Sequence, residues 1–86
     1  MKKKKQKKKM HHFKIILRPE PEGGFTVLVP ALPGCVTYGR TIRKAKEMAK
    51  DAIAAYIASL KKHGEPIPSD RKTRVASLDL EYAKTS

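Results

Sequence analysis

Residues 30–45 read Pro30-Ala31-Leu32-Pro33-Gly34-Cys35-Val36-Thr37-Tyr38-Gly39-Arg40-Thr41-Ile42-Arg43-Lys44-Ala45. Three local structures follow one another in this stretch. Two prolines fix φ and lack an N–H donor, so residues 30–34 form a rigid break at which a sheet ladder pauses. Residues 35–39 resume as a short strand. Thr41 then stands where a helix N-cap belongs, because its hydroxyl can accept an N–H that the first turn leaves unpaired.

Downstream, Ile42, Ala45, Ala49, Ala52, Ile53, Tyr56 and Leu60 recur at spacings of three and four, which makes one apolar stripe of a helix. Lys44, Lys46, Glu47, Lys50 and Asp51 fall mainly on the other side. Lys61, Lys62 and His63 suit the negative end of the helix dipole. Gly64 is a natural residue just past the helix, and Pro66 and Pro68 prevent continuation. The helix therefore covers 41–63. Alanines dominate its inner face and let it lie close against a sheet.

Upstream, Phe13, Ile15 and Leu17 alternate onto one face of a strand over 13–18. The segment 19–24, Pro-Glu-Pro-Glu-Gly-Gly, is a turn, and Phe25, Val27 and Val29 share a face of a second strand over 25–29. These two strands make a hairpin with a loop longer than two residues. Beyond the helix, residues 73–80 are a last strand candidate with Ala76, Leu78 and Leu80 on one face. Residues 81–86 are polar and frayed. The order is β-β-β-α-β, an α+β fold: a three- to four-stranded, mainly antiparallel sheet with one long helix packed on one face.

The chain has 86 residues, enough for one domain, and 40% of them are hydrophobic. The domain is expected to span 13–80. A chain of that size buries only about 60% of the surface it exposes when unfolded. A small sheet with an open edge also tends to pair, so a homodimer is expected. No apolar run approaches the roughly 20 residues that cross a bilayer. Cys35 is the only cysteine, which suits a reducing cytoplasm.

The net charge is +12, and seven of the lysines crowd into the first ten residues: Lys2, Lys3, Lys4, Lys5, Lys7, Lys8 and Lys9. Setting those seven aside leaves +5 for the rest of the chain. Residues 1–12 read as a disordered cationic tail, since dense like charges repel and nothing apolar is there to bury. Two readings stay open. The tail contacts nucleic acid or anionic lipid in a sequence-blind, salt-dependent way. Alternatively it only solubilises the chain, or lies upstream of a translation start at Met10. No aromatic residue interrupts the lysines, so the tail offers no platform for base stacking.

A family resemblance rests on Gly24-Phe25, on Pro30-Ala31-Leu32-Pro33-Gly34-Cys35 followed by Thr37, Gly39 and Thr41, on the alanine-rich helix with Tyr56 and Leu60, and on Gly64-Glu65-Pro66-Ile67-Pro68. This pattern resembles the N-terminal domain of HicB-type antitoxins. The resemblance implies a partial ribonuclease H-like fold and a binding role: neutralising a small, basic, RNA-cleaving HicA-type toxin by masking it. The sequence departs from the family pattern in three ways. With 86 residues, the C-terminal DNA-binding module that full-length antitoxins of this type usually add is not expected here. The helix begins with basic residues where relatives favour glutamates. The body of the chain is basic rather than acidic.

Other chemistry finds little support in the sequence. A nuclease would need clustered carboxylates to hold divalent metal. Residues 13–18 contain no acid, Glu20 and Glu22 sit in a turn, and Glu47 and Asp51 lie on the polar helix face. His11, His12 and His63 fall at segment ends rather than in a set of three or four ligands. Cys35 reads as a small apolar core residue. No catalytic, cofactor or metal site is assigned. Glu20 and Glu22 are the candidate contacts to a basic toxin, and the seven tail lysines are the candidate contacts to nucleic acid.

Overall fold

The structure is a computed structural model that describes residues 10–83. Strands β1 (Ile16–Pro19), β2 (Phe25–Leu28) and β3 (Val36–Gly39) form one antiparallel sheet in the order β1-β2-β3, and helix α1 (Ile42–Lys62) packs across it. The expected α+β architecture is present, with the helix on one face.

Each element forms for a local reason. Pro19 pairs with Phe25 at the mouth of the hairpin, and the loop closes through Gly23 N–H to the Glu20 carbonyl (2.9 Å) and Glu20 N–H to the Gly24 carbonyl (3.0 Å). The break at residues 30–34 is two turns set back to back. Leu32 N–H donates to the Val29 carbonyl and Cys35 N–H to the Leu32 carbonyl, both at 2.9 Å. Val29 N–H then reaches the Cys35 carbonyl (3.1 Å) and ties the two ends together. Thr41 caps α1 as expected, its Oγ1 accepting from Lys44 N–H at 3.0 Å. At the other end Gly64, at φ 68°, lets the Glu65 N–H reach the Leu60 carbonyl and its own N–H the Lys61 carbonyl. That paired reach satisfies carbonyls the last turn leaves free.

The core lies between the helix and the near face of the sheet, in two adjoining clusters. Val27, Ala45 and Ala49 form the first, with Ile15, Leu17 and Phe25 packed around them. Val29, Leu32 and Cys35 form the second, with Phe13, Ile53, Tyr56 and Leu60 around them. Tyr56 pins the loop to the helix by donating its hydroxyl to the Pro33 carbonyl at 2.8 Å. The first cluster depends on how closely α1 approaches β3. A Cβ built on Gly39 would collide with the backbone N and Cα of Ala45. Only glycine there lets the helix start where it does.

Three expectations are corrected. Ile42, placed on the buried stripe, is 52% exposed, because the stripe reaches the sheet only from Ala45 onward. Residues 73–80 form no strand in this chain. Thr73 N–H closes a turn on the Asp70 carbonyl (3.0 Å), and the segment beyond it is solvent-exposed with no sheet partner among the described residues. The three strands are also shorter than the sequence pattern suggests: residues 13–15 pack into the core without joining the ladder.

Replacing Gly39 by alanine is expected to cost about 1–3 kcal/mol, the range for forcing extra atoms into a packed contact. Thr41→Ala is expected to cost about 1 kcal/mol through loss of the cap. Urea unfolding of each variant measures both, and a Gly39→Ala protein as stable as the parent would contradict the close approach.

Candidate protein-binding surfaces

The helix covers one face of the sheet and leaves the other open. Register places Ile16, Leu28 and Val36 side by side across the three strands on that open face. Ile16 is 42% exposed and Val36 54%. The next row holds Arg18, Thr26 and Tyr38. Tyr38 is also exposed, and its hydroxyl donates to the Gly23 carbonyl at 2.9 Å, which fixes the ring across the hairpin loop. The result is a small apolar strip with an aromatic end, held rigid by two strand ladders. Contiguous exposed apolar surface of this kind marks interaction sites more often than single exposed residues do. The sequence carried the signal as Ile16, Leu28 and Val36 falling out of phase with the core residues, but the register that joins them across strands was not readable.

The turn acids separate in the structure. The Glu20 carboxylate accepts from the Thr26 hydroxyl and so braces the hairpin. Glu22 is exposed at the tip of the loop. Of the pair, Glu22 is free to meet a partner, while Glu20 has a structural task. The lysines at 2–5 and 7–9 lie outside the described residues.

Asp70 was not singled out from the sequence, yet it is the buried acid of the fold, 5% exposed. Its carboxylate accepts from Lys14 N–H at 2.9 Å, and its own N–H donates to the His12 carbonyl at 2.8 Å. Arg71 adds a bond from its guanidinium to the Met10 carbonyl at 2.9 Å. These contacts tie the segment after the helix to the segment before β1. The Lys14 N–H, followed by the Thr73 hydroxyl, holds the Asp70 carboxyl below the usual carboxylate range. Burial pushes the Cys35 thiol up, which keeps it protonated and unreactive at neutral pH. Among the described residues, no group of three or more His, Cys, Asp and Glu side chains could hold a metal ion. No helix among them is long and apolar enough to cross a membrane.

Residues 13–85 match the family model described as the HicB-like antitoxin of bacterial toxin-antitoxin systems. The chain belongs to the HicB-like antitoxin family. This HicB-like chain is 46% identical over 63 residues to UPF0150 protein Ta0767 of Thermoplasma acidophilum, covering 73% of the chain and 91% of the relative. It is 32% identical over 63 residues to UPF0150 protein ssr1765 of Synechocystis, covering 73% of the chain and 80% of the relative. It is 42% identical over 41 residues to Antitoxin HicB of Escherichia coli K12, which is 48% of the chain but 30% of that longer protein.

Because the folded-state pKa of Asp70 is depressed, its ionised carboxylate adds stability above the ordinary carboxylate range, and that stability is lost as pH falls through the depressed value. Amide exchange checks this directly. Lys14 N–H should be protected near neutral pH and lose protection in acid, and Asp70→Ala should remove the protection at every pH. Unchanged protection in the variant would mean the carboxylate does not hold this junction.

Proposed function

We propose that this HicB-like chain is an antitoxin that binds a small, basic HicA-type ribonuclease toxin and masks it by steric and electrostatic contact. No chemical step is assigned to the chain, which acts as a binding protein and not as an enzyme. The observation that carries this reading is the uncovered face of the sheet, where Ile16, Leu28, Val36 and Tyr38 form an apolar strip on rigid strands. Membership of an antitoxin family supplies the class of partner. A strip of this kind supports tight binding through a few desolvated apolar and aromatic anchors. Glu22 at the loop tip supplies a negative charge that steers a basic partner to that face. A homodimer in the cytoplasm is the state in which we expect it to act.

The charge of the tail favours one second reading. Seven lysines in the first ten residues would hold nucleic acid without regard to sequence. In that case the fold is a carrier for the tail.

Co-expression with a HicA-type toxin from its own host should relieve the growth arrest that toxin causes. Val36→Asp should weaken toxin binding by at least about tenfold, the equivalent of roughly 1.4 kcal/mol, with the circular dichroism spectrum unchanged. Glu22→Lys should slow association in a salt-dependent way. Deleting residues 1–9 should leave toxin binding intact. If instead that deletion abolishes a salt-sensitive RNA or DNA interaction and no toxin binds, the nucleic-acid reading replaces the antitoxin one.

A further inference from the structure

The segment after Asp70 has the pattern of a strand and no place in its own sheet. Val75 is 68% exposed, Leu78 92%, Leu80 81% and Tyr82 81%. Ala76, Leu78, Leu80 and Tyr82 alternate with Ser77, Asp79 and Glu81, so an extended backbone would put the apolar set on one side and the two acids on the other. After the turn between Asp70 and Thr73, residues 74–83 are exposed and join no strand.

The sheet has a matching vacancy. β1 is an edge strand, bonded to β2 alone. Asp70 occupies the start of that edge through Lys14 N–H and the His12 carbonyl, and from Ile16 onward the outer edge is open among the described residues. Between the helix and the segment that leads into β1 runs an apolar groove lined by Phe13, Ile15, Ala49, Ile53, Ala54 and Ile57, with Met10, His11, Lys46 and Lys50 also at its wall. From Lys46 to Ile57 the helix rises about 16 Å at roughly 1.5 Å per residue. Residues 76–82 in extended form cover about 20 Å at roughly 3.3 Å per residue. The two lengths match to within about 4 Å.

We propose that residues 73–83 of one copy add as a fourth strand to the β1 edge of a second copy, seating Leu78, Leu80 and Tyr82 in the groove beneath its helix. Both sides of the added strand then find complementary neighbours. The apolar side covers Ile15, Ile53 and Ile57. The acidic side, Asp79 and Glu81, lies on the open face of the sheet, where β1 presents Arg18 and the segment before it carries Lys14, and opposite charges on neighbouring strands attract. The added backbone satisfies the unpaired N–H and C=O groups of the β1 edge, which otherwise invite unspecific pairing. A reciprocal exchange is closed, because each copy offers one arm and one β1 edge and both are used within the pair. This gives the expected self-association its interface and does not depend on any toxin.

Sedimentation of the full chain alone tests it. The parent should be a dimer at micromolar concentration. Leu78→Asp with Leu80→Asp should raise the dimer dissociation constant at least about a hundredfold, since each dimer loses four buried leucines. Both positions are exposed within one copy, so each copy should keep its fold, and the circular dichroism spectrum should lose only the contribution of the added strand. Mixing Leu80→Cys chains with Ala54→Cys chains under oxidation should give a disulfide-linked species with one of each. A monomeric parent overturns both the dimer and its interface. A dimer that survives the double substitution overturns the interface alone. So does a chain carrying both cysteines that closes the disulfide within itself, which would place the arm on its own edge.

Discussion

The missing side chain at Gly39 sets the distance between the helix and the sheet, and the packing of the domain follows from it. With no Cβ there, the first turn of α1 comes down onto β3 until Ala45 meets the strand backbone. Ala49, one turn on, then reaches Val27 in the central strand. Small residues at both helix positions keep the approach close, so one central valine fills the space between the layers. Farther along, bulkier helix residues cover the loop before β3: Ile53, Tyr56 and Leu60 close over Leu32 and Cys35. The core is thus a wedge, thin at the glycine end and thick at the loop end.

That wedge explains why the loop at residues 30–34 is rigid rather than merely connecting. Leu32 is 1% exposed although it sits between two prolines in a turn. Its burial requires the flanking backbone to satisfy its own polar groups, which the two linked turns and the Tyr56 hydroxyl accomplish. The prolines reduce the conformational freedom the unfolded loop would lose, so the plug forms at lower entropic cost.

Much of this was legible in the sequence because it is local. The Thr41 cap, the glycine after the helix, the alternation of Val27 and Val29, and the alanine stripe are each written within a few residues. The open face was half legible: alternation says which residues point away from the core, but not which strands bring them together. What depends on distant pairing was not legible. Asp70 meets Lys14 across 56 residues, and no local pattern announces a buried carboxylate whose partner is a backbone N–H. The last strand shows the same limit from the other side. The alternation of Ala76, Leu78 and Leu80 is real, but a strand also needs an edge, and this one joins none among the described residues.

A three-stranded sheet covered on one face by a single helix leaves unsatisfied boundaries of two kinds, the edges at β1 and β3 and the open face. The edge offers backbone groups in a fixed repeat and accepts any extended chain of suitable length, so it favours a partner always at hand, such as the arm of another copy. The open face offers side chains in a fixed pattern, Ile16, Leu28, Val36 and Tyr38, and can discriminate among partners. Filling the edge would also widen the sheet and extend the open face by one strand, with Asp79 and Glu81 set beside Lys14 and Arg18. The positive charge of β1 would then be offset where a basic partner must approach. In a chain whose body is itself basic, that offset would link the proposed self-association to the proposed binding of a cationic partner.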